Sequence, residues 1–423
     1  MKTKLTLSLL LVFSYLNAQE FVQVSVGSSY SLQSYYTLSN DENSILTNES
    51  WDLAFTTAPD AAGIFYNEAA TASFSGEAPE LRLYLAPTTD FADIINPAVL
   101  GDSLYNEEID WENGAFNNPR GENDPGDYGW GTYNPGTQAI EGNRVYALKL
   151  RNGSWKKIFI ESLSNGVYTV KYAGLDGANE ATATISKADF AGSPLALFSF
   201  NTETAIASPA GWDLLFTRYR TALDPGDGVV VQYMVTGVLS GPGVESAEAR
   251  GVDPVDVDYE PYLDSLSTQL DIIGQDWKFF DLGAFEWVLD PERAYFVKTL
   301  ENRLWKIVFY GFDGSSTGIF TFEKTDLGLL SSTESPASNF VDLSVYPNPA
   351  AEEMTVAFTL KESQKELRLY LSNALGQVVW QSRASGNAGL NILNLRPEGL
   401  PGGVYHLNLG AGGDQVTQKV IIR

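Results

Sequence analysis

"ESWDLAFTT" (49–57) and "AGWDLLFTR" (210–218) are near-copies of one another within a single chain of 423 residues. In each, an indole, a leucine and a phenylalanine recur at every second position: Trp51, Leu53, Phe55 and Trp212, Leu214, Phe216. Period two is the period of a β-strand, so each stretch predicts a strand with one apolar row turned to a core. Working outward, the match continues. "IDWENGAF" (109–116) pairs with "QDWKFFDLGAF" (275–285), and "RVYALKLRNGSWKKIFI" (144–160) with "RAYFVKTLENRLWKIVFY" (293–310). The paired tryptophans Trp51/Trp212, Trp111/Trp277 and Trp155/Trp305 lie 161, 166 and 150 positions apart. Signatures in one order at similar offsets predict a tandem duplication, with homologous, mainly antiparallel β domains over 19–187 and 188–330.

The remaining segments agree with an all-β class. Alternating runs such as "VYTVKYAGL" (167–175) are punctuated by 38 Gly and 19 Pro, and "RNG" (151–153) and "LEN" (300–302) read as hairpin turns. Helical spacing is confined to "NPAVLGDSLYNEEI" (96–109) and "DYEPYLDSLSTQL" (258–270). The first copy carries an insertion (117–143) that the second lacks, and the second has a longer middle including "GVDPVDVDYEPYLD" (251–264). A polar linker, 331–340, precedes a third unit, 341–423, whose short alternating strands predict a small C-terminal β-sandwich.

Charge and address point outward from the cell. With 27 Lys+Arg against 53 Asp+Glu the formal charge is −26, a field that repels nucleic acid and anionic lipid. Lys2 and Lys4, the apolar "LTLSLLLVF" (5–13) and "LNAQ" (16–19) read as a secretory signal peptide over 1–18, cleaved after Ala18. No run approaches the ~20 apolar residues of a transmembrane segment. There are no cysteines, so an exported chain of this kind relies on core packing without disulfides.

The last segment resembles the type A C-terminal sorting domain of type IX secretion substrates, on "VYPNP" (345–349), "LSNALGQVV" (371–379), "LPGGVYHLNL" (400–409) and "KVIIR" (419–423). The resemblance makes Tyr346, Pro347, Asn348 and Pro349 the sorting motif. It implies a route through the periplasm, the type IX secretion machinery as partner, and release or attachment to surface lipopolysaccharide. The two copies resemble, more loosely, the HmuY-like family of exported haem-binding proteins, on "GWDLLFTRYRT" (211–221), "YMVTGVL" (233–239), "DWKFFDL" (276–282) and "AYFVKTLENRLWKIVFYGF" (294–312). That family implies an all-β fold and axial His or Met ligands to haem iron. The chain's one histidine, His406, lies in the sorting segment, and outside that segment and the leader the only methionine is Met234. Haem capture of the family kind is therefore not expected of the first copy, and the second offers Met234 alone.

The absence of Cys and His before position 406 removes Ser-His-Asp and Cys-His catalysis, Cys/His zinc sites and His-ligated iron. Carboxylate pairs survive but are uninformative in so acidic a chain, so no enzyme and no cofactor is expected. Glu122, Asp124 and Asp127 in one loop, and Asp253, Asp256 and Asp258 in another, are oxygen donors of the type calcium prefers; acidic turns without a metal have the same composition. Tyr128, Trp130 and Tyr133 in the insertion either stack on a sugar or other planar ligand or fold back over the sheet. "DSL" at Ser103 and Ser265 resembles a bacterial O-glycosylation tripeptide. The sequence thus describes a non-enzymatic secreted or outer-membrane-surface binding protein whose ligand is open, with tetrapyrrole capture by the second copy and carbohydrate-directed adhesion or hydrolysis as alternatives.

Overall fold

The computed structural model describes residues 19–72, 79–121, 126–224, 226, 228–330, 339–346, 348, 350, 353–373, 377–397, 399–411 and 414–422. The expected leader, most of the expected linker, Glu122, Asp124, Pro347 and Pro349 lie outside them. The chain divides into two compact units at Leu330/Ser331. Nearly all regular structure is antiparallel β.

The first unit opens with β1 (Gln19–Ser25), β2 (Leu32–Tyr36), β3 (Asn43–Thr47), β4 (Leu53–Thr56), β5 (Ile64–Tyr66) and β6 (Arg82–Leu85). There follow β7 (Ser103–Leu104), β8 (Gly131–Asn134), β9 (Ala139–Gly142), β10 (Val145–Lys149), β11 (Trp155–Ser164) and β12 (Val167–Ala173). Next come β13 (Ala181–Ser186), β14 (Leu195–Ser199), β15 (Thr204–Ala207), β16 (Leu214–Leu223), β17 (Val231–Ser240) and β18 (Glu245–Arg250). The unit ends with β19 (Lys278–Asp281), β20 (Glu286–Leu289), β21 (Arg293–Lys298), β22 (Arg303–Phe312) and β23 (Ile319–Leu329).

Four sheets form two sandwiches. In the first, β13-β12-β11-β10-β6-β7 packs on β15-β14-β4-β5; Tyr146, Ile158, Ile160 and Val170 meet Leu53, Phe55, Ile64 and Phe198. In the second, β1-β23-β22-β21-β18 packs on β17-β16-β2-β3; Val24, Ile307, Phe320 and Phe322 meet Tyr36, Leu214 and Phe216. The sheets do not sort by the copies 19–187 and 188–330. Strands β1–β3 belong to the second sandwich, whereas β14 and β15 belong to the first.

The two inner sheets also meet each other along a seam. Trp51, Ala54, Phe65, Leu195 and Leu197 form one side, and Tyr35, Trp212, Leu215, Tyr219, Val235 and Leu239 the other, with Leu46 and Trp111 packed against both. This corrects the single apolar row expected of Trp51, Leu53 and Phe55. Leu53 and Phe55 face the sandwich, while Trp51 faces the seam. The indole precedes the strand, which begins at Leu53, so the alternation does not reach back to it. Trp212 stands to Leu214 and Phe216 in the same way. Strand β4 is buried at every position, which is why an alanine or leucine, rather than a polar residue, sits between Leu53 and Phe55 and between Leu214 and Phe216.

Other expectations change too. The two helical candidates shrink to short 3-10 segments, Pro97–Val99 and Glu260–Ser265, with a proline at the first position of one and the second of the other, where a first turn tolerates it. Trp155 and Trp305 are one residue out of step. Ladder partners match Trp155 (to Lys149) with Leu304 (to Lys298), so Trp305 takes the next position of β22, on the core side with Ile307 and Phe309. Trp111 lies in the seam, whereas Trp277 stacks on Phe309 at 4.0 Å inside the second sandwich; the fully buried indole of the first sandwich is Trp130.

In the second unit, the sheet β24 (Phe340–Tyr346), β25 (Met354–Leu360), β28 (Gly389–Leu395) faces the sheet β27 (Val378–Gly386), β26 (Gln364–Asn373), β29 (Gly403–Ala411), β30 (Asp414–Ile422). Val356, Phe358 and Leu360 pack with Leu367, Leu369, Leu407 and Val420 to make the expected small sandwich.

The acid after each seam tryptophan ties strands together. Asp52 Oδ2 accepts from the Phe200 N–H (2.7 Å) and Asp213 Oδ2 from the Leu38 N–H (2.7 Å). Burial pushes the Asp213 carboxyl up to about 6, with the Leu38 N–H pulling the other way. The folded state therefore holds this proton more tightly than the unfolded chain. The resulting stabilisation is complete below the ordinary value of 3.8 and is lost as pH rises through about 6. Asp213→Asn keeps an acceptor without the charge, so its melting temperature should exceed wild type at pH 8 and approach it at pH 4. Asp213→Ala leaves a buried N–H unpaired and should cost about 1–3 kcal/mol at both. Thermal unfolding at the two pH values checks this, and an Asn variant no more stable at pH 8 would refute it.

Candidate functional site

The seam places its half-buried tryptophan, Trp111, between the two sandwiches. Its indole lies 5.5 Å from the ring of Phe65 and 5.5 Å, edge-on, from Trp212, and its N–H donates to the Ser240 carbonyl at 2.8 Å. Residues of both sandwiches hold it, and cavities open on either side of it.

On one side is an open groove of about 940 Å³. Trp111, Trp212 and Leu195 line it with small or apolar residues, Ala58, Pro59, Ala188, Gly192, Pro194, Pro242 and Leu300, and with the polar Thr56, Thr57, Asn165, Ser186, Ser193 and Thr268. Asp110 and Glu112 stand on the rim. Among the described lining residues the one cation is Lys187, and it is already engaged: its ammonium donates to the carbonyls of Ala58 (2.7 Å), Pro59 (3.0 Å) and Ala61 (2.5 Å). Burial lowers it to about 8. Its donors are taken up by three carbonyls, so it shapes the wall, and the charges at the rim are the carboxylates Asp110 and Glu112.

On the other side is a small polar cavity of about 70 Å³. Glu68, buried there, accepts from the Asn106 N–H (2.9 Å) and the Arg220 N–H (3.3 Å), joining the two sandwiches, and desolvation raises its carboxyl to about 7. Arg220 pairs with Glu80 at 2.5 Å, and Arg218 donates to the Ala70 carbonyl at 2.6 Å. Glu108 Oε1 and Arg218 Nε are buried without partners. This volume holds about two waters at most by their share of liquid volume, so it is suited to hydration rather than to an organic ligand.

The residues singled out in the sequence fall elsewhere. Trp130 is fully buried and donates to the Ala62 carbonyl at 2.9 Å, which removes it as a stacking surface. Tyr128 is half-buried against the first core, and only Tyr133 is exposed, so the three make no aromatic platform. Asp127 is enclosed by Arg144 (3.0 and 2.8 Å) and by the Gly121 and Gly129 N–H groups (2.8 Å each). Burial pushes its carboxyl up, but these donors outweigh it and hold the group below its ordinary value. Both its oxygens are used structurally, and its calcium partners Glu122 and Asp124 are outside the described residues. Asp253 and Asp258 are exposed and accept from their own turns' amides, at Val255 (3.0 Å) and Glu260 (3.2 Å). Among the described residues no cluster of three or more His, Asp or Glu side chains is placed to hold a metal. Met234 is half-buried in β17, opposite Arg220, and does not line the groove. What the sequence did not signal was Glu68, 152 positions from the Arg220 amide it binds, and Lys187, a lone charge with no spacing to mark it.

In the second unit, Asn348, one of the residues expected in the sorting motif, is tied to the last strand. Its side chain donates to the Lys419 carbonyl (2.9 Å) and accepts from the Ile421 N–H (2.8 Å). Tyr346 closes β24. Residues 344–423 match the secretion system C-terminal sorting domain. The chain carries a type IX sorting tail. It is thus a type IX secretion substrate, exported to the cell surface or beyond, and no helix of the described residues is long and apolar enough to cross a membrane. No curated protein matches the chain. Among solved structures, dimeric latent PorU from Porphyromonas gingivalis aligns over 68% of this chain and 31% of that one, at 10% identity and a TM-score of 0.17. The chain spans less than a third of that protein, and such a score marks no shared fold. Deleting 341–423 should hold the remainder in the periplasm; surface display of the truncated chain, read by protease accessibility on whole cells, would contradict the assignment.

Proposed function

We propose that this sorting-tail substrate is a non-enzymatic binding protein, and that its ligand seats in the seam groove. The observation that carries the reading is the groove's combination of size and lining: about 940 Å³, lined largely by Ala, Gly, Pro and small polar residues beside two tryptophans, with Asp110 and Glu112 at the rim. Such a volume accommodates a drug-sized molecule or a short extended peptide. The acidic rim and the chain's charge of −26 favour a neutral or cationic apolar ligand over an anionic one. Kinship of both sandwiches with HmuY-like proteins is part of this proposal as a shared ancestry of fold, without the family's haem. A dianionic porphyrin is disfavoured by the rim, and His or Met ligands are absent from the groove lining. The product is released or held on surface lipopolysaccharide through its tail.

Nile red, a neutral apolar dye, should bind the mature protein and gain fluorescence, and Leu300→Asp, at a lining residue 66% exposed, should weaken binding at least fivefold without lowering the melting temperature. Hemin at micromolar concentration should give no shifted Soret band. Dye binding unchanged by Leu300→Asp would overturn the assignment to this groove, and a hemin shift lost in Met234→Ala would favour the tetrapyrrole reading instead.

A further inference from the structure

Nine strands of each sandwich repeat one another, with β7, β8 and β9 of the first left over, but not in the way the chain runs. The outer sheet of the first has the order β13-β12-β11-β10-β6 and that of the second β1-β23-β22-β21-β18. The inner sheets read β15-β14-β4-β5 and β3-β2-β16-β17. Superposing the orders makes β13 the counterpart of β1, β14 of β2, and β15 of β3. Sequence spacing agrees: Ser25, ending β1, lies 26 residues before Trp51, and Ser186, ending β13, lies 26 before Trp212.

Side chains obey the same equivalence. Asp52 N–H donates to the Phe198 carbonyl (2.8 Å) while its carboxylate accepts from Phe200; Asp213 N–H donates to the Tyr36 carbonyl (2.9 Å) while its carboxylate accepts from Leu38. Lys157 fastens the loop over one outer sheet through the Phe91 and Asp93 carbonyls, and Lys306 fastens the other through those of Pro254 and Val255.

We infer that residues 19–330 are two copies, β1–β12 and β13–β23, that have exchanged their first three strands, so that the partner a single copy fits is a second copy. Each copy delivers its first three strands to the other sandwich. The crossings are short: five residues, 48–52, join β3 in one inner sheet to β4 in the other, and 208–213 make the reverse crossing from β15 to β16. Short hinges favour exchange over folding back, because β3 must otherwise turn within those few residues into the sheet of the strand that follows it. The hinges are also held in place: Asn48 donates to the Tyr30 carbonyl (2.8 Å), and the Asn67 side chain donates to the carbonyls of Asn48 and Trp51 (2.9 and 3.0 Å). Strand β1 then closes the molecule by pairing along its whole length with β23, from Gln19↔Thr325 to Ser25↔Ile319.

Because the chain lacks cysteine, Gln23→Cys with Thr321→Cys in the full chain is a clean probe of that closure; the native side chains already touch at 3.3 Å. A protease site placed at the exposed turn Asp176–Gly177 then separates the copies covalently. Under native conditions the nicked protein should elute as the intact one, and on a non-reducing denaturing gel the halves should stay linked. A second readout covers the case in which the cysteines perturb folding. Val24→Asp, in β1 at the second core, should speed amide exchange in β23, the strand that β1 covers, at least tenfold more than in β11 and β12. Halves that part into folded monomers after nicking without the disulfide, or faster exchange confined to β11 and β12, would overturn the exchange.

Discussion

Everything in the first unit depends on one constraint: the strand that follows each Trp-Asp pair is buried on both faces. Leu53 and Phe55 face one core, Ala54 and Trp51 another, and the same holds for Leu214, Phe216, Leu215 and Trp212. A strand with no solvent face cannot belong to a free-standing two-layer domain. It needs a third layer, and here the third layer is the other half's inner sheet. Four sheets in series follow from that, as does the position of Trp111 between the halves. The groove lies along the same seam, lined by Leu195 and Trp212 from its two sides and by Trp111 between them. The buried aspartates belong to the same constraint. Each accepts an amide from a strand that the other copy contributes, so the residue beside the seam tryptophan fixes which strand lies next to it.

Much of this was legible from residues. The period of two, the hairpins at 151–153 and 300–302, and the sorting tail stand where the alternation and motifs put them. The repeat was visible because its core signatures are large aromatics. Its register was less so. Trp305 stands one ladder position beyond the counterpart of Trp155, and Trp111 and Trp277 share a motif while packing in different places. Strand exchange leaves no mark on local sequence, because β1–β3 have the same apolar pattern whichever sandwich receives them. Partnership between distant segments is a tertiary property, and the alternation of a single strand is silent about it.

The site was the least legible part. Aromatic and acidic residues in the 117–143 insertion looked like loop chemistry, yet Trp130 fills the first core and Asp127 is enclosed by Arg144 and two amides. Composition cannot tell a ring that plugs a core from one that meets a ligand; only the neighbours do. The groove, by contrast, is lined largely by alanines, glycines, prolines and small polar residues that carry no chemical signature, and its tryptophans read as scaffold. An acidic, cysteine-free, exported chain with a rigid β frame and an apolar seam is consistent with binding by shape, in which polar residues at the rim tune charge and the fold supplies the cavity.

Calorimetric unfolding of the mature chain tests the central claim most directly. If the seam makes residues 19–330 one cooperative body, that unit melts in a single transition whose van't Hoff and calorimetric enthalpies agree, with the sorting unit contributing its own. Two separate transitions for residues 19–330, each with the enthalpy of about half the unit, would contradict it.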